Sequence, residues 1–335
     1  LTTRKLLELM QTPEDIIDGS YNYIVVIFAG IIAPVFFNLF SSILRSLGDS
    51  KTPLIFLIIA SVINIILDFV FILAFSSGVA GAAYATVIAQ MLSGIFCMVY
   101  SLKRFPILRL RREDWKFSWR FAWTHLRIAL PMAFQFSVTA IGVMIIQTAL
   151  NKLGSTAVAA YTAASKIDQL ATQPLVSFGV AMATYSAQNY GAGNIERIKT
   201  GVKSCCVISV IAGLIGAFIV ITLCRRLVYL FVGGGQEDVF ELVRKYIIIN
   251  SGMYVFLGIL FVFRNVLQGV GISSIPFMAG VFELITRSLV AFIFVGKLGF
   301  TALCLASPLA WIVADIPLII MYIVFISRQK KRILT

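Results

Sequence analysis

Nine apolar stretches of about 20 residues, each long enough to cross a hydrocarbon layer of roughly 30 Å, follow one another through this 335-residue chain. They fall near residues 20–44, 53–75, 79–102, 125–150, 156–188, 200–223, 240–267, 276–297 and 300–326. In lipid every backbone N–H and C=O must be satisfied within the protein, so only helices and closed barrels span. The runs are long and continuous rather than alternating in short pieces, which selects helices. Charged residues make up 13% of the chain, against about 25% in soluble domains, and no segment offers a water-soluble domain. The expected fold is all-α: a polytopic membrane protein of about nine transmembrane helices. The first span follows a polar segment and is too long for a signal peptide.

The chain also repeats itself, at the fixed offset that carries Leu44 onto Leu267. Leu44-Arg45-Ser46-Leu47-Gly48-Asp49-Ser50-Lys51-Thr52-Pro53 aligns with Leu267-Gln268-Gly269-Val270-Gly271-Ile272-Ser273-Ser274-Ile275-Pro276, Glu14-Asp15 with Glu237-Asp238, and Tyr23-Ile24 with Tyr246-Ile247. Both copies enter with the chain running the same way, a parallel repeat of the kind found in two-lobed carriers. Residues 125–223 precede the second copy, so a segment of similar length is expected before Leu1. The organisation expected is the C-terminal half of a first lobe at 1–102 (three helices), a basic interlobe loop at 103–124, and a second lobe at 125–335 (six helices). On that reading the chain is a remnant of two pseudo-repeated six-helix lobes.

A net charge of +13 raises the possibility of a nucleic-acid partner, but its placement points to topology instead. Eight Lys and Arg lie between Lys103 and Arg127, four from Arg328 to Arg332 and three at 197–203. With alternating spans these fall on one side, which the positive-inside rule makes cytoplasmic together with the C-terminus. Trp115 and Trp119 within the basic loop fit an interfacial stretch, and anionic lipid is the partner expected there. The five cysteines sit in or at the ends of apolar spans with neither zinc nor disulfide spacing. The single histidine, His125, cannot form a metal site alone. No zinc-protease or nucleophile-elbow motif is present, so the chain is read as not an enzyme and as carrying no cofactor.

Charges inside spans need a reason, because each costs roughly 2.5–3.5 kcal/mol at a helix centre on insertion scales. Asp68 and Asn64 are spaced i, i+4, which puts a carboxylate and an amide on one face, able to share a cation or a proton. The alternative is that Asp68 hydrogen-bonds neighbouring helices. Glu283 and Arg287 share the same spacing and can pair. Arg264 and Asp315 could join them in a near-neutral buried network, which is either a packed, self-satisfied set or part of a substrate or proton path. Lys166 and Asp168, two positions apart, do not share a face.

The turn Leu44-Arg45-Ser46-Leu47-Gly48-Asp49-Ser50-Lys51-Thr52-Pro53 followed by Asn64-Ile65-Ile66-Leu67-Asp68 resembles the multidrug and toxic compound extrusion (MATE) family. So do Gly81-Ala82-Ala83-Tyr84-Ala85-Thr86, Leu153-Gly154-Ser155-Thr156 and Gln188-Asn189-Tyr190-Gly191-Ala192-Gly193. The resemblance implies a twelve-helix exporter, of which this chain holds helices four to twelve. It implies exchange of small organic cations or drugs for sodium ions or protons by alternating access, in the cell membrane. It also implies a first-lobe cation site at Asp68 and Asn64, joined by Thr86 and, at the place of the family's fourth-helix asparagine, by Ser41. A sodium ion at Asp68 and Asn64 would be the one metal. A lipid-linked oligosaccharide flippase of related fold and an inactive fragment of the exporter stand as alternatives.

Overall fold

A computed structural model describes residues 2–9, 14–109, 112–233 and 236–334, which are helical apart from short turns, with no strand among them. The chain divides into two compact units, Leu1–Lys116 and Phe117–Thr335.

The first unit contains α1 (Thr2–Leu9), α2 (Glu14–Ala29), α3 (Ile32–Ser46), α4 (Lys51–Phe69), a π-helical turn at Val70–Ala74, and α5 (Gly78–Arg104). The single span expected at 20–44 is in fact a pair, with α2 and α3 bent by 43° at Gly30–Ile31. Pro34 explains the break: it has no N–H to donate to the Gly30 carbonyl, and its ring crowds that carbonyl. The Ala33 N–H takes the vacated acceptor instead, at 2.9 Å. Gly94 on α5 backs directly onto the Phe37 backbone of α3, where a Cβ would lie 3.0 Å from the Phe37 nitrogen. Small residues on α5 (Ala83, Ala85, Ala89, Ser93) are buried, and α5 packs against α2, α3 and α4. Close backbone approach of this kind is how helices associate where lipid offers no hydrophobic drive.

The second unit contains α6 (Trp119–Asn151), α7 (Ser155–Gly191), α8 (Ile195–Thr222), α9 (Cys224–Val232), α10 (Glu237–Ser251), α11 (Tyr254–Gly269), α12 (Ser274–Leu289), a π-helical turn at Val290–Phe294, α13 (Val295–Leu298) and α14 (Phe300–Leu334). Its core gathers Leu150, Ile167, Leu175, Ile247, Tyr254, Leu260 and Leu267 around a stripe of alanines on α14. Ala302, Ala306, Ala310 and Ala314, each fully buried, recur every fourth residue and so line one face. The span expected at 240–267 is again a bent pair, with α10 and α11 meeting at 50°. Asn250 braces this break: its Nδ2 donates to the Tyr246 carbonyl and, at 3.1 Å, to the Cys304 carbonyl of α14.

The sequence repeat recurs helix by helix. Glu14 and Glu237 start α2 and α10, and Lys51 and Ser274 start α4 and α12, each pair at the offset that relates Leu44 to Leu267. Both copies carry the bent pair and both end their next helix in a π turn. Among the described residues six single helices are long and apolar enough to cross a membrane, and the two bent pairs bring the number to eight. The remaining expected stretch, 156–188, lies within the 37-residue α7. The chain is an integral membrane protein of helical fold.

Candidate functional site

In the first unit α4 is nearly all aliphatic, so its few polar groups stand out. The Ser61 hydroxyl is spent on the Leu57 carbonyl of its own helix. Asn64 and Asp68 are not spent: Asn64 Nδ2 and Asp68 Oδ1 are buried and have no hydrogen-bond partner among the described residues. A buried polar atom left unpaired costs about 1–3 kcal/mol, which makes these two atoms the part of the unit that wants a ligand. The π turn begins at Val70, directly after them. Its i→i+5 bond, Phe75 N–H to the Val70 carbonyl, widens the helix where functional sites often lie.

Thr86 joins this level of the unit. Ser93 of α5 bonds the Phe56 carbonyl and Gly81 packs on Phe71. That antiparallel register sets Thr86 level with Asn64, and Asp68 one turn beyond. The Thr86 hydroxyl donates to Ala82 in its own helix and keeps its lone pairs for a further partner. Ser41 is not brought to the same place. Gly30 backs onto Val87 and Gly94 onto Phe37, so α3 and α5 run parallel with Gly30 near the Thr86 level. Ser41 is eleven positions further along, roughly 16 Å at about 1.5 Å per residue. It is buried and bound by the Arg45 guanidinium, which also reaches Ser42. At the turn between α3 and α4, Asp49 caps the next helix, accepting from the Thr52 N–H at 3.0 Å and the Thr52 hydroxyl at 2.7 Å. Burial pushes its carboxyl upward, but the donors of Thr52, Tyr100 and Lys51 outweigh that and hold it below the usual range.

At the offset of the repeat Ser41 corresponds to Arg264 and Asn64 to Arg287, so the second unit has charges where the first has small polar groups. Arg264 Nη2 contacts Glu283 Oε1 closely, and Arg287 Nη2 sits 3.4 Å from Glu283 Oε2. Arg264 therefore bonds the carboxylate that also pairs with Arg287, and the triad carries one net positive charge. Asp315 does not bond to it. Both its oxygens are unpartnered among the described residues, although Arg264 and Glu283 lie within its electrostatic reach.

Two further links lay beyond sequence reasoning. The Tyr254 hydroxyl donates to Asp168 Oδ1 at 2.8 Å across 86 residues of sequence, tying α11 to α7. Gln135 of α6 accepts from Gln268 of α11 at 3.0 Å. A carboxylate in a span announces that it has a partner, but nothing in the sequence selects Tyr254. Lys166, two positions from Asp168, is exposed. All five cysteines are free, and no group of three or more His, Cys, Asp or Glu is arranged to hold a metal among the described residues. His125 is exposed, lies with its ring tilted against Phe121 and bonds the Phe121 carbonyl one turn back.

Against this geometry, the MatE family profile matches residues 1–70 and 131–293. A probable multidrug resistance protein of Bacillus subtilis, YpnP, is 29% identical over 270 residues, covering 79% of this chain and 59% of the relative. A probable multidrug resistance protein of Thermotoga maritima, NorM, is 25% identical over 286 residues, covering 84% and 61%. The chain thus spans about six tenths of the length of these relatives. Among solved structures, a MOP-superfamily transporter from Pyrococcus furiosus superposes with a TM-score of 0.90 at 23% identity, over 98% of this chain and 74% of that one. An outward-facing multidrug resistance MATE transporter gives 0.89 at 24% identity, over 97% and 73%. At those identities the superpositions establish the fold alone.

Proposed function

The chain belongs to the MatE family, and on that footing we propose that it works as part of a cation-coupled exporter of small organic cations or drugs. Its two units serve as segments of a first and a second lobe, and the basic 103–124 segment and the C-terminus lie on the cytoplasmic side of the cell membrane. Asp68 is the coupling group. It binds a proton, or with the Asn64 and Thr86 oxygens a sodium ion, and holds it in exchange for substrate. The observation that carries this reading is the orphaned Asp68 Oδ1, one turn beyond Asn64 and directly before a π turn. A carboxylate within a span and without a partner is a functional feature by default, and a cation satisfies it at the level where Thr86 adds a third oxygen.

Ser41 has no part in that shell in the conformation described, since the register keeps it several turns away. The relatives named above as multidrug resistance proteins support drugs as the substrate class. The test is ethidium efflux from cells expressing the whole exporter of which this chain is part, with Asp68 or with Asp68→Asn, at matched membrane levels, varying sodium and proton gradients separately. Efflux lost in the variant, and driven by one of the two gradients, is the expected result. Efflux unchanged by the substitution overturns the assignment of Asp68, and no efflux from the wild type overturns drug export itself.

A further inference from the structure

The second unit holds another carboxylate that its surroundings leave unsatisfied. Asp315 is 5% exposed, on a helix whose stripe of buried alanines packs into the core, and neither of its oxygens has a hydrogen-bond partner among the described residues. The triad beside it is buried to a similar degree, with Arg264, Glu283 and Arg287 at 8%, 4% and 7%. Within that triad Arg264 Nε and Arg287 Nε are also unpartnered. Arg264 therefore keeps a free donor within electrostatic reach of Asp315 that is not bonded to it.

The same unit carries an open groove. A cavity of about 530 Å³ opens between α8, α11 and α14, with Glu196, Lys199 and Lys203 toward its charged end and Cys206, Phe263 and Tyr322 among its other walls. Cys206 lies within electrostatic reach of Asp315, and Tyr322 within reach of both Cys206 and Glu196. Phe263, which meets Tyr322 edge to face at 5.1 Å, immediately precedes Arg264.

We propose that Asp315 is a proton-binding site filled from water in this cavity, and that loss of its proton moves Arg264 from Glu283 to Asp315. In the conformation described the neutral acid is the cheaper occupant, because an ion without hydrogen bonds in a low-dielectric interior is far more costly than a neutral carboxyl. When the proton passes to water the carboxylate needs a donor, and Arg264 on α11 is the cation at hand. Its transfer changes how α11, α12 and α14 are tied together. Pro317, two positions beyond Asp315, cannot bond the Val313 carbonyl, which loosens α14 where the exchange takes place.

The charged and titratable groups facing Asp315 are Arg264 from α11, Glu283 from α12 with Arg287 behind it, and Cys206 from α8. From α10, Lys245 and Tyr246 address Cys304, three turns away along α14. Arg120, His125 and Arg127 of α6 and Lys297 of α13 are exposed.

The test is infrared difference spectroscopy of the reconstituted protein between acid and alkaline buffer, in light and heavy water. The wild type should show a carboxylic C=O band that shifts in heavy water and vanishes at alkaline pH. That band should be lost in Asp315→Asn and kept in Asp68→Asn. If Asp315→Asn does not fold, Asp315→Glu serves instead, and the band should move in frequency. A band of full amplitude in Asp315→Asn, a band unmoved in Asp315→Glu, or no such band in the wild type overturns the proposal. Because this readout needs no transport, its failure is separate from failure of the export reading.

Discussion

Removing only the hydroxyl of Tyr254 isolates the link between α7 and α11. Tyr254 is fully buried, and Tyr254→Phe keeps the ring and its packing while deleting the donor that meets Asp168 Oδ1 at 2.8 Å. Hydrogen bonds between helices in a bilayer are worth about 0.6 kcal/mol on average and about 1.7 kcal/mol at most, because the unfolded chain in lipid finds other partners. A charged acceptor raises the figure, to roughly 1.5–3 kcal/mol in soluble proteins. The two ranges meet at about 1.5 kcal/mol, which is the expected loss. The loss should also be coupled to Asp168. In a double-mutant cycle with Asp168→Asn, the second substitution should cost less in the Tyr254→Phe background, by an interaction energy of at least about 0.5 kcal/mol. The assay is reversible unfolding in mixed micelles, with both single variants and the double variant measured together. A Tyr254→Phe loss of only a few tenths, or strictly additive effects, would refute the claim that this bond holds the two helices.

Other consequences follow from packing and capping. A Cβ on Gly269 would lie 2.4 Å from the Ala183 carbonyl oxygen, a backbone atom that cannot swing aside. Gly269→Ala must therefore push α11 off α7 and should cost about 1–3 kcal/mol, the range of overpacked cores, read as a lower thermal midpoint in detergent. Asp49→Ala removes the cap on α4 and should cost about 1 kcal/mol at neutral pH. Because the folded Asp49 carboxyl is held below its ordinary value, that advantage is present above the unfolded value and fades as pH falls through the folded one. Thermal midpoints of wild type and variant should converge in acid, and a gap that stays constant would be evidence against the cap.

The helical fold was legible because hydropathy summed over a whole span is a strong signal in a chain that must satisfy its backbone internally. The two bends were not. Pro34 and the Gly252–Met253 break each alter a few backbone bonds, and a sum over the whole run does not register them. For the site, the sequence marked which residues bear a charge within a span but not which are paired, since pairing is settled by helices far apart in the chain. Asp168 finds Tyr254 across 86 residues, and Glu283 finds Arg264 across 19. Ser41 shows the same limit in another form. Its match to the family offered it as a partner for Asp68 and Asn64, and the register of α3 against α5 separates it from Asn64 by several turns.

Four carboxylates lie deep in the described spans: Asp68, Asp168, Glu283 and Asp315. Each has the same nominal cost of insertion, so charge alone cannot rank them. Partnership does rank them, because Asp168 and Glu283 are held by donors while Asp68 and Asp315 have oxygens left over. A carboxylate that is only structural gains by keeping its donors, and Tyr254, Arg264 and Arg287 supply them. A carboxylate that must take up and release a cation loses by having permanent donors, since they would stabilise its ionised form and leave the cation no advantage. The two carboxylates with oxygens left over, one in each unit and each close to a π turn or a proline, are therefore the ones on which the proposed exchange with a mobile cation rests.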